Sequence, residues 1–207
     1  ENSRKLIDLV LTQAENYPRP ALNALMNHIG SHDTARILTR LGTEENGNRE
    51  WQATARLSEE QLNSAKRLLL LAVTLQYTLP GVPSVFYGDE VGLTGYGDPF
   101  CRCTYPYGKE DTELLEFYRN IGKIRRENSA FAEGEFIPLY SEIGYIAFMR
   151  RDESNCIFIA VNRWHEDVTL SLPHGFENAE VLYGNVPCDN AIRLNGYGIS
   201  ILKKAKD

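Results

Sequence analysis

Apolar residues recur at helical spacing in several segments of the chain. Residues 4–16 keep this spacing up to a pair of prolines, which predicts a first helix. Ser58, with Gln61 at the third helical position, has the pattern of a capping box, and helical spacing then continues to Leu79. A further helix is predicted over residues 112–126.

Two short segments in the first part of the chain have the composition of strands. Residues 21–27 lead into a polar loop, and residues 82–87 form an apolar run of the kind buried in a parallel sheet. A helix is predicted over residues 34–41, ended by Gly42. The order strand, loop, helix, repeated twice, indicates an α/β fold, in which functional loops lie at the C-terminal ends of parallel strands.

The pattern changes after Asn128. Short alternating segments, separated by turn residues, fill residues 135–202, which is typical of an antiparallel sandwich. The clearest segments are 145–149, 157–161, 168–172 and 198–202. We place the boundary near residues 129–134, and predict an α/β domain over residues 1–131 and an antiparallel β-sandwich over residues 132–207.

Composition and charge narrow the classes of partner. The 207 residues are 43% hydrophobic, which is ordinary for a globular protein with a buried core, and the formal net charge is -6. This charge gives no basic face for nucleic acid. No apolar run approaches the roughly 18 to 20 residues that span a bilayer, so we expect neither a nucleic-acid nor a membrane partner.

The four cysteines, Cys101, Cys103, Cys156 and Cys188, do not have the spacing of a structural zinc site. We therefore predict four free thiols, no metal and no cofactor. Free thiols fit a reducing compartment such as the cytoplasm. The chain begins at Glu1 with neither an initiator methionine nor a signal peptide, which suggests a piece of a longer protein.

The polar segment 28–36 holds two imidazoles, a carboxylate, a hydroxyl and a guanidinium group within nine residues. A carboxylate beside a His donor and an Arg can be held ionised to meet positive charge or hydroxyl groups. The alternative is a solvated turn in which Asp33 and Thr34 cap the following helix. A second polar loop, residues 92–108, follows the second predicted strand.

With both loops in view, the sequence resembles the alpha-amylase superfamily of glycoside hydrolases. Ser-His-Asp-Thr-Ala-Arg at residues 31–36 is similar to the motif after the seventh barrel strand, and residues 81–92 are similar to the eighth strand. Residues 27–33 together with Asp-Pro-Phe-Cys-Arg at 98–102 are most similar to the neopullulanase and cyclomaltodextrinase group. The resemblance implies the last two strands and helices of a (β/α)8 TIM barrel, followed by an antiparallel β-sandwich C-terminal domain.

The resemblance also implies roles for individual residues. Asp33 matches the third acidic residue of the family, which holds sugar hydroxyls and stabilises an oxocarbenium-like transition state. His32 matches a histidine that hydrogen-bonds the sugar at the bond that breaks. Asp98 and Arg102 match residues that contact the neighbouring glucose, although a surface ion pair is the alternative for Arg102. Arg36 is expected to support the loop.

Other prominent residues receive structural interpretations. Asp89 and Glu90 are expected to bind backbone or Arg rather than to catalyse, and Tyr107 stands where many relatives carry Trp. The remaining histidines are expected to be solvated or packed. Trp51 and Trp164 could stack on sugar rings, but such aromatic residues are usually part of the core.

Retaining glycosidases need a carboxylate nucleophile and a carboxylic acid about 5 Å apart. In the family these follow the fourth and fifth barrel strands, so neither is expected in this chain. We expect a parent glycosidase that cleaves α-glucosidic bonds of maltodextrins, cyclodextrins or pullulan with retention, and no activity of the chain alone. The alternatives are a transglycosylase or α-glucosidase of the same superfamily, or a non-catalytic amylase-like carbohydrate-binding or interaction domain.

Two kinds of partner are implied. One is an α-glucan oligosaccharide substrate. The other is the N-terminal portion of the barrel or, in its place, self-association, because two strands of a closed barrel expose edges that pair with another chain.

Overall fold

The computed structural model describes residues 3–204, with helices dominating the first two thirds and strands the last third. The helices are α1 (Ser3–Asn16), α2 (Arg19–Ala24), α3 (Ile37–Gly42), α4 (Arg49–Thr54), α5 (Glu59–Thr78), α6 (Thr112–Glu127) and α7 (Ala130–Glu133), with a 3-10 turn at Asp89–Val91. The strands are β1 (Met26–His28), β2 (Val82–Ser84), β3 (Glu135–Glu142), β4 (Tyr145–Arg151), β5 (Cys156–Asn162), β6 (Val168–Ser171), β7 (Glu180–Tyr183), β8 (Ala191–Leu194) and β9 (Ile199–Lys203).

The long helices lie where the apolar spacing predicts them. Helices α1, α5 and α6 begin and end within one residue of the predicted positions. The capping box of α5 is confirmed, because the Gln61 N–H donates to Ser58 Oγ at 3.2 Å and the Ser58 N–H donates to Gln61 Oε1 at 2.9 Å. None of the helices within residues 3–204 is long and apolar enough to cross a membrane.

The strand predicted over residues 21–27 is wrong in its first part. Helix α2 occupies most of this segment, and the extended backbone begins at Leu25 and continues into β1. Pro18 caps α2, and Pro20 lies in the first turn, where a proline is well tolerated because the N–H it lacks has no helical partner. The prolines that end α1 therefore also begin the next helix.

Strand β2 is shorter than predicted, and it neighbours β1 in a two-stranded sheet. At its last residue and beyond, side chains provide hydrogen bonds to backbone carbonyls. The Ser84 carbonyl accepts from the Gln76 side chain at 2.8 Å, and the Tyr87 carbonyl accepts from Arg36. The apolar run after β2 is thus a bonded loop rather than a continued strand.

The last third of the chain is an antiparallel β-sandwich, as predicted. One sheet has the order β3-β4-β5-β9-β7, and the other pairs β6 with β8. Their shared core contains Phe158, Ala160 and Leu202 of the larger sheet with Leu170 and Ile192 of the smaller. Strands β4, β5, β6 and β9 lie where the alternating segments predict them.

Two arginines bind the carbonyl groups at the end of α5. The fully buried Arg150, on β4, donates to the Thr78 carbonyl at 2.7 Å. Arg125 donates to the carbonyls of Tyr77 and Gly81, each at 2.6 Å. Burial and, to a smaller extent, the charge of Arg125 together lower the pKa of Arg150 to about 9. Cations at a helix C-terminus are favourable, so both side chains hold this end of α5 in place.

The chain divides into two compact units that do not follow one cut along the sequence. The first comprises residues 3–26, 77–82 and 123–204 and contains the sandwich. The second comprises residues 27–76 and 83–122 and contains both polar loops.

Candidate active site

The first polar loop, residues 29–36, connects β1 to α3. Helix α3 begins at Ile37, later than predicted, because Arg36 has a ψ of 143°, outside the helical range. The Arg36 N–H instead donates to the Gly95 carbonyl at 2.8 Å. The loop therefore extends past Asp33 in a non-helical conformation and meets the second polar loop.

Four of the predicted site residues lie together, and we refer to His32, Asp33, Asp98 and Arg102 as the polar cluster. His32 Nε2 lies 3.2 Å from Asp33 Oδ1, and Arg102 Nη2 lies 3.6 Å from the same oxygen. Arg102 Nε lies 2.8 Å from Asp98 Oδ1. One guanidinium group thus joins carboxylates from the two polar loops.

The polar cluster is open to solvent. The side chains of Asp33 and Arg102 are 70% and 46% exposed. Ion pairs at this exposure contribute little to stability, so the arrangement is not explained by a need to hold the fold together. Carboxylate oxygens can each accept further hydrogen bonds, which leaves acceptors and donors available to a ligand rich in hydroxyl groups.

The backbone of the first polar loop anchors the second. The His32 carbonyl accepts from Arg102 Nε at 3.1 Å and from the Cys101 thiol at 3.2 Å. Cys101 is fully buried, and the Arg102 N–H donates to the Pro99 carbonyl at 3.0 Å within the turn. All four cysteines are free thiols, as predicted. Two side-chain bonds to one carbonyl therefore fix Arg102 relative to His32.

Arg36 lies fully buried and connects three segments of the second unit. Its Nε donates to the Cys101 carbonyl at 2.7 Å, and its Nη1 donates to Asp89 Oδ1 at 3.1 Å and to the Tyr87 carbonyl. The guanidinium carbon lies 4.1 Å from the centre of the Phe86 ring, within range of a cation–π interaction. Because none of this side chain is exposed, it cannot contact a ligand at the surface.

Asp89 is the buried partner of Arg36. Burial raises the pKa of Asp89 to about 6, and the hydrogen bond and charge of Arg36 oppose that rise. A side chain at Gly30 would collide with the Asp89 carboxylate, so this position in the first polar loop requires glycine. Glu90 Oε2 accepts from the Gly88 N–H at 2.7 Å. These are the Arg and backbone contacts expected for the two acidic residues.

Gln76, on α5, is a positioning residue that the sequence analysis did not identify. Its Nε2 donates to the Asn27 carbonyl at 3.0 Å and to the Ser84 carbonyl at 2.8 Å, and the residue is only 3% exposed. It therefore ties together the segments that enter the two polar loops. The available signal is a single amide within the apolar face of a long helix.

The other predicted residues lie outside the polar cluster. Tyr107 is 84% exposed, and its ring centre lies 4.8 Å from that of Tyr105. The histidines His28, His165 and His174 are exposed, within the alternatives predicted for them. In the described part of the chain, no group of three or more His, Cys, Asp or Glu side chains is arranged to hold a metal ion.

No protein-family model matches the chain. Among curated relatives, an amylopullulanase from Thermoanaerobacter thermohydrosulfuricus is 39% identical over 153 residues, which are 72% of this chain and 10% of that protein. A cyclomaltodextrinase from a Bacillus species is 32% identical over 173 residues, which are 82% of this chain and 27% of that protein. The chain therefore spans a tenth to about a quarter of the length of these relatives.

A solved structure with the same fold is that of cyclic α-maltosyl-(1→6)-maltose hydrolase from Arthrobacter globiformis in complex with its saccharide. The TM-score is 0.69 at 25% identity, over 94% of this chain and 38% of that one. Likeness of this extent confirms the predicted fold class, a final part of a (β/α)8 barrel followed by an antiparallel β-sandwich.

Proposed function

We propose, from the premise that this chain belongs to the alpha-amylase superfamily of glycoside hydrolases and matches the C-terminal part of such enzymes, that it supplies one side of an α-glucan active site. The observation that carries the proposal is the meeting of two polar loops in one exposed cluster, with Arg102 between Asp33 and Asp98.

The proposed parent enzyme is a retaining glycosidase. A nucleophile and a general acid from an earlier part of the longer protein would form and then hydrolyse a glycosyl-enzyme intermediate. The names of the relatives, amylopullulanase and cyclomaltodextrinase, support pullulan, cyclodextrins and maltodextrins as substrates.

Asp33 is the proposed transition-state stabiliser. Positive charge develops on the sugar ring as the glycosidic bond breaks, and a fixed carboxylate close to that charge stabilises the transition state more than the ground state. Its exposure leaves oxygen lone pairs free to accept from sugar hydroxyls. His32, 3.2 Å from the carboxylate, is proposed to donate to the same sugar.

Asp98 and Arg102 are proposed to bind the neighbouring glucose. Together they present carboxylate acceptors beside guanidinium donors, which suits the alternating donors and acceptors of adjacent sugar hydroxyls. Arg36 is a proposed positioning residue. Its hydrogen bonds to the Cys101 carbonyl and to Asp89 support both polar loops from a buried position that does not reach the surface.

We also propose that residues 1–131 form the end of the catalytic barrel and residues 132–207 the C-terminal domain. The start of the antiparallel strands at Glu135 supports this boundary. Two apolar side chains at the start of the strands of the two-stranded sheet are well exposed, Met26 at 69% and Val82 at 45%. This exposure supports earlier barrel strands as the natural partner of the chain, with self-association as the alternative.

The test compares the 207-residue chain with the longer enzyme proposed to contain it. Hydrolysis of maltotriose, β-cyclodextrin and pullulan is followed by reducing ends, and the anomer released first is identified by NMR. We expect turnover by the longer enzyme with the α-anomer first, and none by the chain alone. Turnover by the chain alone, inversion, or transfer products without hydrolysis would each overturn the proposal.

A further inference from the structure

A shallow depression lies on the β-sandwich, between the β3–β4 turn and the segment that follows β5. Its volume is about 510 Å³, within the range of roughly 300 to 1,000 Å³ that is usual for small-ligand sites. The lining residues are Glu142, Ile143, Tyr145, Trp164, Asp167 and Val168. Trp164, for which both a core position and stacking on sugar rings are predicted, lies in this lining.

Trp164 is 40% exposed, yet it is held firmly. The backbone N–H of Trp164 donates to Asn162 Oδ1 at 2.9 Å, and the backbone carbonyl of Trp164 accepts from the Tyr197 N–H at 2.7 Å. The indole lies so close to Gly144, which has a φ of +93°, that any larger residue there would collide with it. The Tyr145 ring packs edge-on, with centroids 5.8 Å apart. A ring fixed before binding loses little conformational freedom when a ligand stacks on it.

The depression also carries fixed hydrogen-bond acceptors. Asp167 Oδ2 accepts from Arg193 Nε and Nη2 at 2.9 and 2.6 Å, and Asp167 Oδ1 accepts from the Gly196 N–H at 3.0 Å. These bonds orient the carboxylate, and Oδ1 keeps a lone pair, since Oδ2 already accepts two hydrogen bonds. Glu142, which also lines the depression, adds an exposed carboxylate.

This combination of surfaces matches a sugar. A pyranose ring has an apolar face of C–H groups that can lie on an aromatic ring, and a rim of hydroxyl donors that can reach carboxylates. An apolar protein segment in the same place would bury the exposed Glu142 carboxylate and the remaining acceptor of Asp167 without supplying a hydrogen-bond donor to either, which is costly. The lining residues include no Lys or Arg, so an anionic ligand is disfavoured.

We propose that this depression is a second α-glucan-binding site, on the sandwich and separate from the polar cluster, which holds a polymeric substrate on the enzyme. The choice of an α-linked glucan rests on the proposed function, whereas the aromatic and carboxylate geometry by itself indicates a saccharide.

The experiment uses the fact that Trp51 and Trp164 are the two tryptophans of the chain. In a Trp51→Phe variant of the 207-residue chain, Trp164 is the only indole reporter. Titration with maltoheptaose should give a saturable change in its fluorescence. Trp164→Ala should weaken maltoheptaose binding, measured by calorimetry, about tenfold or more, as expected for loss of a central aromatic contact. If Trp164→Ala fails to fold, the titration of the Trp51→Phe variant still shows whether maltoheptaose binds at Trp164.

Matched controls separate the two sites. Val186, also on the sandwich and 74% exposed, is the control for removing an exposed apolar side chain, and Val186→Ala should leave affinity unchanged. Asp33→Asn in the Trp51→Phe background should leave the Trp164 titration intact, and loss of the signal would overturn the inference. No fluorescence change, or equal binding of β-linked cellohexaose, would also overturn it. Binding at Trp164 without turnover by the longer enzyme would keep this inference and refute the proposed glycosidase.

Discussion

Two arginine–aspartate arrangements in the same unit use the same chemistry in opposite surroundings. Arg102 lies between Asp33 and Asp98, and all three side chains are close to half exposed or more. Arg36 and Asp89 lie 3.1 Å apart with side chains 0% and 1% exposed. The first arrangement faces solvent and retains free donors and acceptors. In the second, the arginine also contacts the Phe86 ring and the carbonyls of Cys101 and Tyr87.

Burial, rather than residue type, separates the proposed binding role of the first arrangement from the supporting role of the second. An exposed ion pair is worth at most about 1 kcal/mol, since water competes for both partners. A buried pair contributes little net energy, but removal of one partner leaves an uncompensated charge. Stability measurements should therefore respond to the buried pair and ligand measurements to the exposed one.

Removal of the buried arginine should have the largest effect on stability. Arg36→Met deletes three hydrogen bonds and leaves the Asp89 carboxylate buried without its cation. We expect the free energy of unfolding to fall by about 3–5 kcal/mol, measured by denaturant titration with circular dichroism. A loss below about 1 kcal/mol would mean that the buried pair does not support the fold.

The titration of Asp89 should give the next largest effect. Its pKa in the folded chain is raised from 3.8 to about 6, so the folded state binds the proton more tightly than the unfolded state does. This contribution to stability is fully present below the unfolded pKa and is lost as the pH rises through the folded pKa, by about 3 kcal/mol in all. The stability of the native chain minus that of Asp89→Asn should fall by about this amount between about pH 3 and about pH 7. A difference that is flat or rises with pH would contradict the assignment.

Loss of the amide on α5 should have an intermediate effect. Gln76→Met keeps the length of the side chain but removes the hydrogen bonds that Gln76 donates to the carbonyls of Asn27 and Ser84. We expect a loss of about 1–3 kcal/mol in unfolding free energy. Gln52, which bonds within the exposed segment 46–52, offers a matched control, and Gln52→Met should have a smaller effect.

The exposed arginine should have the smallest effect on stability. Arg102→Met removes contacts to Asp33 and Asp98 that water can replace, so the unfolding free energy should change by less than about 1 kcal/mol. In the longer enzyme the same change should raise KM for β-cyclodextrin, because Arg102 is proposed to bind the substrate. A large loss of stability with unchanged KM would assign Arg102 to the same supporting role as Arg36.

The sequence predicts the helices and strands that are specified by patterns among neighbouring residues. The capping box at Ser58 and Gln61 fixes the start of α5 through residues three apart, and the structure agrees. Alternating strands in the sandwich are equally local, because one face of each is buried. The motif residues of the polar cluster are likewise adjacent in the sequence, at 31–36 and 98–102.

Prediction from the sequence fails where contacts between residues far apart in the chain determine the local structure. Residues 34–36 have the pattern of a helix start, but Arg36 leaves the helix because its backbone bonds to Gly95 and its side chain to Asp89. The function of Gln76 depends on Asn27, 49 residues away in the chain, and no local pattern encodes that distance. Tertiary hydrogen bonds override local preference at these positions.

The central claim is that the exposed cluster, through Asp33, stabilises the transition state of glycoside hydrolysis. The most direct test is kcat of Asp33→Asn in the longer enzyme, with β-cyclodextrin as substrate and the unfolding free energy measured in parallel. We predict that kcat falls by about 10²–10³-fold while stability is unchanged, since the residue is 70% exposed. A variant that keeps the native kcat, or that loses activity only because it unfolds, would contradict the claim.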